Sequence, residues 1–170
     1  MLKRKNLWAP WRIGYIRGLA DKNECFLCQI IKTPQEDGKN FVLWRTKNCI
    51  TVLNRFPYNN GHLLIAPLRH IPDLDNTGDE ELLEMTKLTR DAQKALALAI
   101  KPHGFNIGLN FGRCAGAGLP DHLHIHVVPR WNGDTNFIRT CSDTNLISQS
   151  LSELLELLKK SSADNNLPGV

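Results

Sequence analysis

Three histidines separated by single apolar residues, His122-Leu-His124-Ile-His126, are the densest chemical signal in this 170-residue chain. Side chains of an extended segment alternate between faces, so this spacing puts three imidazoles on one face and Leu123, Ile125 and Val127 on the other, toward a core. Pro129 closes the run, because a proline cannot continue a central strand. One histidine in a strand is ordinary. Three of the chain's six within five residues point to a site. Neutral imidazole can attack an electrophile or bind a metal, and metal binding is the rival reading of the cluster. Just upstream lies Gly112-Arg-Cys-Ala-Gly-Ala-Gly118. Glycines let backbone N–H groups approach an anion closely, and a glycine-rich loop running into a histidine cluster favours phosphate chemistry. A flexible turn is the plainer reading of such a loop taken alone.

The elements that must position these residues follow from periodicity. Phe41–Trp44 and Cys49–Leu53 are apolar runs parted by a polar turn, the pattern of a β-hairpin. Asn59-Asn60-Gly61 is a turn, and His62–Ala66 reads as a buried strand closed by Pro67. From Asp79 to Ile100, Leu82, Met85, Leu88, Ala92, Ala95, Leu96 and Ala99 recur at helical spacing. This is an amphipathic helix, capped by Thr77 or Asp79 and stopped by Pro102 and Gly104. Phe105–Asn110 alternates as a strand, and His122–Val128 is the last strand. A final helix is expected from about Asp143 to Lys160, with Leu146, Ile147, Leu151, Leu154, Leu155 and Leu158 on its apolar side. Residues 1–24, with Trp8, Pro10, Trp11 and Tyr15, read as an ordered arm, and 161–170 as a polar, frayed tail. His103 reads as a surface residue. Strands fall in adjacent groups, so the expected fold class is α+β with a mainly antiparallel sheet. Residues 1–170 are expected to form a single domain.

Composition narrows the function. Apolar residues make up 42% and the net charge is +4, with the excess dense only at Lys3, Arg4, Lys5, Arg12 and Arg17. A nucleic-acid binder shows a stronger basic stripe, so no nucleic-acid partner is expected. A modest positive field suits a small polyanion. No apolar run approaches the roughly 20 residues needed to cross a bilayer, and no h-region follows the basic start, so a cytoplasmic protein without membrane contact is expected. Five cysteines, an odd number, do not form a disulfide framework in such a setting. Only Cys25-Phe-Leu-Cys28 has a suggestive spacing, and a reduced, metal-free pair is its plain alternative.

The run His122-Leu-His-Ile-His-Val-Val128 matches the signature His-φ-His-φ-His-φ-φ, with φ apolar, and Asn54-Arg-Phe-Pro-Tyr-Asn-Asn-Gly-His-Leu-Leu-Ile-Ala-Pro67 extends the likeness upstream. The chain thus resembles the histidine triad (HIT) proteins, nucleotide hydrolases and transferases, over roughly residues 20–140. The resemblance implies a HIT-like fold with a five-stranded antiparallel sheet, a long amphipathic helix and a C-terminal helix. Leu7-Trp-Ala-Pro-Trp-Arg12, Asn106-Ile-Gly-Leu-Asn-Phe-Gly112 and His126–Phe137 look most like bacterial members that phosphorolyse diadenosine tetraphosphate. A HIT nucleotide hydrolase, acting on phosphoramidates or dinucleoside polyphosphates, and a non-catalytic nucleotide or metal sensor are the alternatives.

Carried over residue by residue, the resemblance implies His124 as nucleophile on an α-phosphorus, its tautomer fixed by a backbone carbonyl near His122. It implies His126 as the phosphate contact, with His62 behind it as orienting partner. Asn110 and the amides of Gly116 and Ala117 would hold phosphate oxygens, and Asn54 the ribose hydroxyls. Phe26 and Leu53 would line an apolar base slot. Turn capping is the structural alternative for Asn54 and Asn110. Many members carry a hydroxyl shortly before the triad; Gly118-Leu-Pro-Asp121 supplies none, which argues against an amidase-type activity. Cys25, Cys28, His70 and His122 would complete a Cys2His2 set for a structural zinc, as in several bacterial members. No organic cofactor is implied. A small-molecule nucleotide substrate and a homodimer are.

Overall fold

The computed structural model describes residues 25–134, 147 and 149–169. The aromatic arm expected over 1–24 and the first residues of the expected C-terminal helix, 143–146, lie outside the described residues. Within them, a five-stranded antiparallel sheet has the order β1-β2-β3-β5-β4. Its strands are β1 (Val42–Arg45), β2 (Cys49–Leu53), β3 (Leu63–Pro67), β4 (Gly104–Leu109) and β5 (Ile125–Arg130), joined by helices α1 (Phe26–Lys32), α2 (Asp79–Ile100) and α3 (Leu151–Asp164). This is the α+β class expected from the pattern.

Alternation along the strands divides the sheet into two faces. Leu53, Leu63, Ile65, Leu123 and Val127 pack with Met85, Leu88, Ala92, Ala95 and Leu96 of α2 and Leu154, Leu155 and Leu158 of α3. On the other face Ile50, Val52, Leu64 and Ala66 pack with Leu27 and Ile30 of α1. The helix α1 was not legible as a separate element because its seven residues give too few turns for a period to emerge. Arg45 holds its C-terminal end, donating to the carbonyl of Ile30 at 2.6 Å and that of Ile31 at 3.3 Å while its fork binds Asp37.

Three boundaries differ from expectation. The N-cap of α2 is Gly78, not Thr77 or Asp79, and the Glu81 carboxylate accepts from its N–H at 2.9 Å. Helix α3 starts at Leu151, where the Ser150 hydroxyl accepts from the Glu153 N–H, and it runs four residues past Lys160. The tail beyond it is docked, not frayed: Leu167 packs on the helix-side core and the Gly169 N–H donates to Asp91 at 2.7 Å. The polar composition of the tail hid one apolar anchor and one backbone donor.

Two features of the fold place the site. Gly61 turns the chain into β3 at φ +78°, and a Cβ there would meet Ile100 Cδ1 at 2.8 Å and Pro129 Cγ at 3.0 Å. Only glycine satisfies both the left-handed backbone and the close approach. In the sheet, Leu64 and Gly108 stand opposite His126 on its two neighbouring strands.

Candidate functional site

The histidine segment behaves as its alternation predicts, although regular strand geometry begins only at Ile125. Leu123 and Val127 enter the helix-side core, and the imidazoles turn to the opposite face with Leu64. There they divide into two groups.

The first group is a relay of hydrogen bonds. The Tyr58 N–H donates to Nδ1 of His62 at 3.1 Å, and the Asn54 amide nitrogen lies 3.2 Å from the same atom. Nδ1 is therefore an acceptor, and neutral His62 carries its proton on Nε2. Nε2 of His62 is 2.9 Å from Nδ1 of His126, so His126 accepts there and holds its own proton on Nε2, which lies 3.3 Å from the Asn110 amide. That proton calls for the amide oxygen, and the two ends of an amide are isosteric. His124 is wired separately: Nδ1 lies 2.8 Å from the His122 carbonyl oxygen. Its Nδ1–H donates to that carbonyl, and Nε2 keeps a free lone pair. Burial is the main reason these groups stay neutral. It pushes His62 down to about 3 and His126 to about 4, with neighbouring histidines adding to the shift, and it lowers His124 as well.

Space is left open beside this relay. His62 is fully buried and His124 7% exposed, whereas His126 is only partly covered. Gly108, opposite His126, would place a Cβ in open space, as would Gly112 and Gly116 in the loop beyond Asn110. Tyr58, 53% exposed, stacks on His126 with ring centroids 5.7 Å apart and lies tilted against His62 at 4.7 Å. Neither Tyr58 nor Gly108 was singled out from sequence. A tyrosine in a turn and a glycine in a strand carry no signal until pairing shows what they stand beside.

Other expected site residues are placed less simply. The N–H of Gly116 donates to the Arg113 carbonyl at 3.0 Å and that of Ala117 to the Gly112 carbonyl at 3.2 Å. Both amides thus have partners inside the loop. The Asn54 carbonyl oxygen accepts from the Phe56 N–H at 2.9 Å, so Asn54 also caps its own turn. Leu53 is 2% exposed within the helix-side core, while Phe26 stands 42% exposed at the start of α1; the two do not share a cluster. His103 is exposed, as expected, and accepts from the Asn132 N–H.

The second group gathers Cys25, Cys28, His70 and His122, whose ligand atoms all lie within 4.8 Å of one another. The Cys25 and Cys28 sulfurs approach Nδ1 of His122 at 3.2 and 3.5 Å, Cys28 approaches Nδ1 of His70 at 3.2 Å, and the two Nδ1 atoms are 3.3 Å apart. A tetrahedron of Zn–S and Zn–N bonds of about 2.0–2.3 Å has edges of roughly 3.3–3.8 Å, so the donor set fits a zinc ion in type, number and spacing. Nε2 of His122 donates to the Pro67 carbonyl at 2.9 Å, which aims the Nδ1 lone pair at the cluster, as an outer hydrogen bond does for a ligating histidine. Burial pushes the Cys25 thiol up to about 11, so a cation is what would deprotonate it.

A depression of about 440 Å³ beside the start of α2 is lined by no histidine, and its Arg69 and Lys47 pair with its own Glu81 and Glu80.

Comparison with known proteins agrees with this geometry. The HIT domain family model matches residues 35–133. A Mycobacterium tuberculosis protein named AP-4-A phosphorylase is 38% identical over 160 residues, covering 91% of this chain and 82% of its own. A Zn-bound histidine triad family protein from Mycobacterium smegmatis superposes with a TM-score of 0.68 at 27% identity, covering 84% of this chain and 96% of its own. A hypothetical histidine triad nucleotide-binding protein from Sulfolobus tokodaii superposes with a TM-score of 0.67 at 26% identity, covering 82% and 93%.

Proposed function

The chain belongs to the HIT domain family, and on that premise we propose that it is a nucleotide-processing enzyme that cleaves the α-phosphate linkage of a dinucleoside polyphosphate, with inorganic phosphate as acceptor. The observation that carries this reading is the 2.8 Å bond from His124 Nδ1 to the His122 carbonyl, which leaves Nε2 as a nucleophile. In the first step the Nε2 lone pair bonds to the α-phosphorus and the bond to the bridging oxygen breaks. The Nε2–H of His126 stabilises the charge gathering on that oxygen, and His62 holds His126 in the donating tautomer. In the second step phosphate oxygen attacks the same phosphorus and the bond to His124 breaks. From diadenosine tetraphosphate the products are ADP and ATP. The 38%-identical relative named AP-4-A phosphorylase supports this acceptor.

Asn110 stands beside Nε2 of His126 and would hold a phosphate oxygen with it. The Gly116 and Ala117 amides would join only by exchanging their loop partners for the ligand. Asn54 would take the ribose hydroxyls in the same way, and the exposed Phe26 would flank the base, whereas Leu53 stays buried in the helix-side core. Cys25, Cys28, His70 and His122 would hold a structural zinc, which supplies cross-linking and no chemical step. No organic cofactor enters the scheme. We extend the proposal to one domain over the whole chain, a cytoplasmic location and a homodimer. Strand β4, at the sheet edge with Asn106 and Ile107 exposed, is available for pairing. No described helix is long and apolar enough to cross a membrane.

Product analysis tests the acceptor. Incubation with diadenosine tetraphosphate should release ADP only when phosphate is supplied. Formation of AMP and ATP at equal rates with and without phosphate would replace the phosphorylase with a hydrolase.

A further inference from the structure

A dinucleoside polyphosphate brings several negative charges, yet the histidine face offers no formal positive charge at neutral pH: burial holds both His62 and His126 in their neutral forms. The amides of Gly116 and Ala117 are also bonded within their loop. Charge complementarity has to come from another side chain, and the arginines show which.

Among the described residues, Arg45 forks onto Asp37, Arg69 binds Glu81, Arg90 binds Asp91 and Arg130 binds Asp134. Arg55 donates to the Lys39 carbonyl and Asn40 and lies over the Phe41 ring. Arg113 is the one described arginine whose side chain makes no hydrogen bond or ion pair with the protein. It opens the single 3-10 turn Arg113–Ala115 of the loop between Asn110 and the histidines. It stands three positions after Asn110, so their Cα atoms are at most about 11 Å apart, and Asn110 itself touches His126. Gly112 and Gly116, at φ +74° and +90°, bracket the turn and face open space. The Arg113 side chain is exposed, in the loop that leads from Asn110 to the histidines.

We infer that Arg113 is a specificity-determining residue that binds the phosphates beyond the scissile α position, so that substrates are selected by the length of their polyphosphate chain. This rests on the nucleotide reading proposed above. A guanidinium fork matches phosphate oxygens in pairs, and an ammonium does so only as a point charge. A substrate with a single phosphate gains nothing from it.

The test is equilibrium binding, by calorimetry, of two probes: diadenosine tetraphosphate with a non-cleavable α,β-methylene bridge, and AMP. Arg113→Ala should weaken the tetraphosphate by about 10- to 100-fold, the range of one or two charge-assisted hydrogen bonds, and leave AMP within about twofold. Arg113→Lys should recover part of the loss. Equal weakening of both probes would show that Arg113 merely shapes the loop, and no weakening of the tetraphosphate would show that the side chain reads nothing; either result overturns the inference. Intact-protein mass after exposure of the wild type to cleavable diadenosine tetraphosphate reports separately on the nucleotidyl-histidine. A missing adduct there sinks the covalent mechanism and leaves the binding comparison to be judged on its own.

Discussion

His122 and His126 stand four residues apart on one face of one segment, yet their surroundings ask opposite things of the same ring. At the His122 end, Nε2 is tied to the Pro67 carbonyl and Nδ1 points into two thiols and a second imidazole. At the His126 end, Nδ1 is tied to His62 and the Nε2 proton is left for Asn110 and the open side. The hydrogen bond behind the ring decides whether the front presents a lone pair or a proton. An acceptor behind makes a ligand or, at His124, a nucleophile. A donor behind makes a donor in front. Residue type places the rings, and the partner on the far nitrogen assigns their work.

That division can be broken first where it is sharpest. Replacing His124 with Ala should lower turnover of diadenosine tetraphosphate on the order of 10³-fold or more, while zinc content and melting temperature stay near those of the wild type. A variant that kept even a tenth of its turnover would show that the nucleophile lies elsewhere. The Cys/His end should respond in the other direction. Cys28→Ser, or prolonged chelation, should lower the melting temperature by more than about 10 °C, since a structural zinc contributes folding energy outright. Protein purified without zinc, and melting unchanged with chelator, would make the cluster a reduced thiol pair.

The third and smallest effect is a pH dependence. His62 and His126 have folded values of about 3 and about 4, below the ordinary 6.5. Between those limits the unfolded chain binds more protons than the folded one. The stability from keeping these rings neutral is therefore complete above pH 6.5 and drains away as pH falls toward 4 and then 3. Melting temperature should fall more steeply across pH 6.5–4 in the wild type than in His126→Asn. Carboxylates such as Glu81 and Asp91 titrate in both proteins and cancel in the difference. Parallel curves would mean that burial does not hold His126 neutral.

Much of this arrangement is legible in the sequence, and the reason is periodicity. Alternation placed His122, His124 and His126 on one face and Leu123 and Val127 on the other, and the 22-residue helix α2 declared itself through its apolar stripe. The carbonyl expected near His122 to hold the His124 tautomer is the His122 carbonyl itself. What escaped depends on contacts between distant segments. Tyr58 is 68 residues from His126 and stacks on it only because Gly61 turns the chain under Ile100 and Pro129. The loop amides at 116 and 117 looked free for an anion because glycine spacing says what a backbone can reach, not which carbonyl it already holds. The short helix α1 and the docked tail depend on one or two packed apolar side chains each, too few to mark a pattern.

His122 touches both ends of the molecule's chemistry with different atoms. Its ring joins the sulfurs, and its main-chain oxygen steers the attacking imidazole two residues on. The next N–H, that of Leu123, is clasped by the Ile71 carbonyl at 2.6 Å, immediately after His70. One residue thus ties the aim of the attacking ring to the geometry of the thiol cluster, so a change that displaced the His122 backbone would also shift the carbonyl that holds His124.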